Sequence, residues 1–358
     1  MKLFRYVGGV VVVVAVFLVA MVKVVVLFAA DGKFVDAEQG EHTIFQNESI
    51  TVVYSTPTIA ARSDKPEVVI LGSSNARLGF RPAELSPLIG NVPVHNLGLG
   101  AQNMRSFCQI FDLIYRQTPS ANRRNIVFVV GIWYGAMVGD ERRWPDGMTA
   151  VDNELLRCFG LFRRTGRNGV QFILPDGYLS AALHAVWPLL VPRATYEQAW
   201  RYLLARQYVH SLPADVRPPL DPPDSVLDER VMGDDLLHIT ANHDIDMYGP
   251  AEKLGDSAYE DLIEAARRIH AAGGQLVLLD LPLTTAGYET KAYGLYRIRM
   301  KDFIAKLQRE GLAQYGDLRP YFDNKNFFDY IHPRPKVRPE WARLAAEPIK
   351  EALKNLAR

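Results

Sequence analysis

The stretch VVILGSSNARLGF, residues 68–80, runs from four apolar residues into a glycine, two serines and an asparagine. Val68 to Leu71 form the continuous apolar run of a strand covered on both faces, as in a parallel sheet. Such a strand delivers whatever follows it to the sheet's carboxyl edge. Open α/β folds bind ligands there, because the loop is exposed while the strand beneath holds it rigidly. Gly72, Ser73, Ser74 and Asn75 therefore have two readings. They form a turn in which Ser74 or Asn75 caps the next helix, or they mount a reactive hydroxyl.

Outward from this stretch the same rhythm repeats. VPVHNLGLG (92–100) again ends a short apolar run in glycines. NMRSFCQIFDLIYRQ (103–117) places Phe107, Ile110, Phe111 and Ile114 at helical spacing, and NIVFVVGIWYG (125–135) is a second buried strand. The pattern resumes with a helix in SAYEDLIEAARRIHAAGG (257–274), a strand in QLVLLDLPL (275–283) and a long amphipathic helix over 290–311. This βαβαβ order predicts an α/β fold with a mainly parallel sheet. Between the halves, about 140–255, lies a long and mostly helical insertion that includes the proline-rich VRPPLDPPDS (216–225), a loop or linker.

With 358 residues, 48% hydrophobic and 23% charged, the chain can bury a large core, which argues against disorder. A net charge of +1 with no long Lys/Arg run argues against nucleic acid as a partner. Cys108 and Cys158 lack any metal-binding or disulfide spacing and read as buried thiols. Lys2 and Arg5 precede 25 residues, Tyr6 to Ala30, that are apolar except for Lys23 and Gly8-Gly9. That length suits a bilayer span over residues 1–30, with Lys23 snorkelling near its far end; a cleaved signal peptide is the rival. The charge bias puts the N-terminus in the cytoplasm and the rest outside, anchored to the cytoplasmic membrane. Residues 31–65 then form a stalk or leading strand, and the core domain occupies 66–358.

Near the end, YFDNKNFFDYIHPRP (321–335) sets Asp329 three residues before His332. On a turn, the carboxylate can accept from one ring nitrogen and leave the other as a base. The ordered combination of strand-Gly-x-Ser, Asn-x-Gly-x-Gly and Asp-x-x-His resembles the SGNH, or GDSL-like, hydrolase superfamily. The resemblance covers roughly 66–135 and 257–335 and implies a flavodoxin-like three-layer fold. It further implies Ser74 as nucleophile, Asp329 and His332 as its partners, and an oxyanion hole from the amides of Ser74 and of Gly100 or Ala101. Ser73 stands where many members have Asp.

The third block departs from the family pattern. Gly131-Ile132-Trp133-Tyr134 stands where members carry Gly-x-Asn-Asp, so the asparagine that donates to the oxyanion is missing. Losing such a donor costs on the order of 100- to 1000-fold in rate. Either another group such as Tyr134 or Asn75 substitutes, or the enzyme is slow, or the site is inactive. The same absence occurs in membrane-anchored branches that resemble this chain, the polysaccharide O-acetyltransferases and the D-alanine transfer proteins of teichoic acid synthesis. That resemblance implies an acyl group passed through Ser74 to an envelope polymer, with the acyl donor supplied by a multi-pass membrane acyltransferase and no cofactor or metal. Asn75, Trp133 and Tyr134 would then line the substrate site, the two aromatics stacking on a sugar ring. An esterase, and a non-catalytic glycan- or partner-binding module, remain the alternatives.

Other polar residues read as structural. His95 sits at the second strand's end in a loop-packing position, and HITANHDIDMYG (238–249) reads as non-helical turns rather than a metal site. Arg157, Arg163, Arg164 and Arg167 read as a solvated face, with phosphate contact as the alternative.

Overall fold

A computed structural model describes residues 6–17, 20, 56, 59–60, 62–139, 149, 151, 162–164, 170–172, 232–248, 256–321 and 323–356. Its centre is a five-stranded sheet of β1 (Glu67–Leu71), β2 (Val94–Asn96), β3 (Ile126–Ile132), β6 (Gln275–Asp280) and β7 (Gln314–Asp317), in the order β2-β1-β3-β6-β7. Every pair in it is parallel. Counted within the sheet this is the 2-1-3-4-5 order of flavodoxin-like folds, whose switch point lies at the first strand. Ser74 follows that strand.

Burial on both faces explains why these strands read as continuous apolar runs. Val69 and Leu71 of β1 face one apolar cluster with helices α2 (Met104–Gln117), α4 (Ser257–Ala271) and α5 (Lys291–Arg309). Val68 and Ile70 face a second cluster with α1 (Ser74–Gly79) and α6 (Arg338–Leu356). The result is the expected three layers. Packing starts ahead of β1: Ile59 is fully buried in the first cluster, and Asn125 Nδ2 donates to Ser63 O at 2.9 Å.

Within the insertion the described residues hold a two-stranded antiparallel pair, β4 (Phe162–Arg164) and β5 (Val170–Phe172), and one helix, α3 (Asp234–Tyr248). Helix α3 corrects the non-helical reading of 238–249. Asp234 and Asp235 lie in its first turn, where carboxylates suit the helix dipole. His238 and His243, five apart on a helix, are turned from each other by about 140°. Residues 6–17 are helical with Val11 to Val14 exposed, but among the described residues no helix is long and apolar enough to cross a membrane. The remainder of that apolar run with Lys23, the greater part of the 31–65 stalk, Cys158, the side chains of the four arginines and residues 216–225 lie outside the described residues. Cys108 is partly buried against the first cluster.

Candidate active site

Three glycines seat the helix that carries Ser74. A Cβ on Gly72 would lie 2.4 Å from Ala76 Cβ, one on Gly131 would lie 2.9 Å from the same atom, and one on Gly98 would lie 2.7 Å from Arg77 Cβ. None of the three has a positive φ, so the need is for close approach of α1 to the ends of β1, β2 and β3. Asn96, the asparagine of the second block, holds the far end of the helix. Its Nδ2 donates to Ala76 O, Arg77 O and Phe80 O at 3.2, 3.2 and 2.7 Å, and its Oδ1 accepts from Gly98 N at 3.0 Å. Arg338 Nε adds a bond to Leu78 O at 2.7 Å.

The chain after β2 continues the ladder alongside β1. Leu97 N donates to Ile70 O and Leu99 N to Gly72 O, both at 2.8 Å. This brings Gly100 and Ala101 to the level of the Ser73–Ser74 turn. Ala101 has φ 57°, a left-handed conformation that costs a non-glycine residue about 1 kcal/mol. It is exposed, and Gly100 is half-buried.

His332 and Asp329 arrive on the loop after β7, which is closed on itself and clamped from outside. Phe328 N donates to His332 O at 3.1 Å, Arg334 N to Asn326 O at 2.8 Å, and Phe327 forms a bridge with Pro333. Thr284 holds the loop from the β6 side, donating to Tyr330 O through both N and Oγ at 3.1 and 3.0 Å. Asp329 Oδ1 accepts from the amides of Ile331 and His332 at 2.9 and 2.8 Å. That leaves Oδ2 for the ring: with Nδ1 protonated, His332 donates to it at 2.5 Å. Nε2 then accepts from Ser74 Oγ at 2.7 Å.

The chain Ser74–His332–Asp329 thus joins residues 258 positions apart, at a site that is open but not fully wet. The side chains of His332 and Asp329 are 21% and 19% exposed. Phe328 stacks on the imidazole with ring centroids 5.5 Å apart and planes 14° apart. Burial pushes the Asp329 carboxyl up, but the His332 hydrogen bond, the His332 charge and the two amides outweigh it, and the net value lies below the ordinary carboxylate range. Asp329 stays ionised and can stabilise an imidazolium.

Sequence expectation and structure part company at the aromatics. Trp133 and Tyr134 are 4% and 2% exposed, so they form no open wall for a sugar ring. Tyr134 packs edge-on against Tyr296, 6.1 Å between centroids, and Trp133 Nε1 donates to Ser73 Oγ at 2.7 Å. Ser73 in turn donates to Asn75 Oδ1 at 2.7 Å, and Ala76 N donates to the same oxygen at 2.9 Å. Asn75 is fully buried as well, so it adds no open surface for a sugar ring. Its Nδ2 is buried with no hydrogen-bond partner among the described residues, an arrangement that costs about 1–3 kcal/mol. The capping reading is not met: the N-cap position is Ser73, whose side chain makes no capping bond, while Asn75 takes the Ala76 amide from within the first turn and Ser74 faces His332. Sequence reasoning gave no role to Ser73, Phe328 or the Asn96 side chain. His95 lies away from this constellation, paired through Nε2 with Glu67 near the amino end of β1.

No family model and no curated protein matches the chain. Among solved structures, a protein of Bacteroides fragilis NCTC 9343 described as a "putative acylhydrolase" aligns with 84% of this chain and 94% of its own at 11% identity and a TM-score of 0.38. The fold assignment rests on the strand order and registers above.

Proposed function

We propose that this protein is a serine acyltransferase that works through an acyl-Ser74 intermediate. The observation that carries the proposal is the continuous hydrogen-bonded chain from Asp329 through His332 to Ser74. As Ser74 Oγ attacks an ester or thioester carbonyl, its proton passes to His332 Nε2, and Asp329 holds the ring in the required tautomer. The oxyanion meets the amides of Ser74 and of Gly100 or Ala101. Collapse expels the alcohol or thiol, which takes the proton from His332. A second hydroxyl then gives its proton to His332 and attacks the acyl-serine carbonyl; the bond from the acyl carbon to Ser74 Oγ breaks, Oγ takes the proton back from His332, and the new ester leaves.

The finer assignment is an O-acetyltransferase acting on an envelope or exported polysaccharide outside the cytoplasmic membrane. The family resemblance and the apolar N-terminal run support it. In this reading residues 1–30 tether the chain, and a multi-pass membrane acyltransferase supplies the acyl group. Hydrolysis shares the first half-reaction, since water can replace the acceptor hydroxyl at a site where Ser74 is half-exposed.

The test is acetylation of the full-length protein by p-nitrophenyl acetate, followed by intact mass. An acetyl adduct forms on the parent protein, is absent from Ser74→Ala, and decays faster when an acceptor polysaccharide is added. Absence of adduct with acetyl esters and thioesters alike would sink the serine mechanism. Decay unchanged by added polysaccharides, with acetate as sole product, would reassign the protein as an esterase.

A further inference from the structure

The end of β3 has no asparagine to offer an oxyanion, yet a buried carboxamide lies beside it. Asn75 Oδ1 is committed twice, to the Ser73 hydroxyl at 2.7 Å and to the Ala76 amide at 2.9 Å. A flipped carboxamide would set its NH2 against the Ala76 N–H, so the oxygen and nitrogen are assigned by chemistry. Nδ2 therefore points away from both donors, and among the described residues it has no partner. Buried donors are rarely left so, and an exception calls for a purpose. This one belongs to the residue next to Ser74. Its carboxamide is tied through Ser73 to Trp133 Nε1 at the end of β3.

We propose that Asn75 Nδ2 is the side-chain donor to the oxyanion in this chain, replacing the missing third-block asparagine, with Ser73 and Trp133 as positioning residues that aim it. The inference rests on the acyl-serine reading above. Trp133 donates to Ser73, which fixes the Ser73 hydroxyl as a donor to Asn75 Oδ1 and thereby the direction of Nδ2. The other side-chain candidate, Tyr134, is turned into the core against Tyr296.

The experiment measures the nitrophenolate burst of the full-length protein with p-nitrophenyl acetate, alongside a thermal melt of each variant. Asn75→Ala slows acylation by about 100- to 1000-fold with little change in the apparent KM. Asn75→Asp keeps the acceptor for Ser73 and Ala76 but loses the donor, and it suffers the same loss. Trp133→Phe keeps the ring but cannot donate; it slows acylation about 10-fold in the parent and adds nothing in the Asn75→Ala background. If the parent acylates and both Asn75 variants acylate within about threefold of it, the donor role is overturned while the serine mechanism stands. An equal cost of Trp133→Phe in both backgrounds overturns the positioning role. Should Asn75→Ala lose its melting transition, Asn75→Asp and Trp133→Phe decide the matter. A parent protein that never acylates fails the acyl-serine reading itself.

Discussion

Asp329 spends both oxygens on its own loop: one takes two amides and the other takes the His332 ring. The first pair of bonds fixes the carboxylate, and the fixed carboxylate fixes the imidazole. Asp329→Asn removes the charge and can present NH2 to the ring, which favours the wrong tautomer. Acylation is expected to fall by on the order of 1000- to 10,000-fold. The carboxyl's lowered titration also has a stability consequence. A group whose folded value lies below its unfolded value stabilises the fold above the unfolded value, about 3.9, and that contribution is lost as pH falls through the folded value. The unfolding free energies of parent and Asp329→Asn should therefore converge as pH drops below about 4. A gap that stays constant from pH 7 to pH 3 would show that the charge contributes nothing. At this scale Asp329 and His332 were legible because a spacing of three on a turn is a local property. The Trp133–Ser73 bond spans 60 positions and appears only when two strand ends are neighbours.

One scale up, α1 is six residues long and could not persist alone. It holds its place because Gly72, Gly98 and Gly131 let its backbone sink against three strand ends while Asn96 and Arg338 take its carbonyls. Gly72 and Gly98 were visible as endings of apolar runs, and Gly131 as the first residue of the third block. Their shared partner was not, since nothing local says that all three face one helix. Gly98 is the most constrained, because an added Cβ would meet Arg77 N and Cα at 2.9 and 3.0 Å, and backbone cannot swing aside. Gly98→Ala is expected to cost about 1–3 kcal/mol and to slow acylation by shifting Ser74 from His332. Gly294 in α5 is the control, with nothing within 4 Å of where an added methyl would sit. There Gly→Ala should stabilise by about 0.5–1 kcal/mol at unchanged acylation. Chemical denaturation and the nitrophenolate burst check both, and equal behaviour of the two variants would refute the close-packing account.

Across the whole molecule, sheet order brings the candidate site residues that follow four strands to one edge, and the strands that were legible are those buried on both faces. β7 was not legible because QYGD is only half-buried and carries no apolar run. Helix α6 was hidden because its core face is mostly alanine, with Trp341 and Ile349 among Ala342, Ala345, Ala346 and Ala352, and because Pro348 interrupts its sequence. Pro348 nonetheless packs on β7, its Cγ 3.0 Å from where Gly316 would carry a Cβ. The edge strand is tied inward by a buried carboxylate at the end of β6. Asp280 is 1% exposed; its Oδ2 pairs with Arg297 from α5 and lies 3.2 Å from Arg319 Nε and 3.0 Å from the Tyr315 hydroxyl of β7. Arg319 opens the segment that leads to Asp329 and His332, so the cluster links sheet, helix and the loop that carries those two residues. Arg297 and Arg319 keep partial access to water, 19% and 25% exposed, so Asp280→Ala is expected to destabilise by about 1–3 kcal/mol through the lost bonds. Asp280→Asn keeps an acceptor for Arg297 and should lose less. If the loop depends on this tie, acylation in Asp280→Ala falls at temperatures well under the melting transition, and amide exchange rises first across 314–334. Exchange that rises uniformly along the chain, with acylation intact, would reduce Asp280 to a contributor to global stability alone.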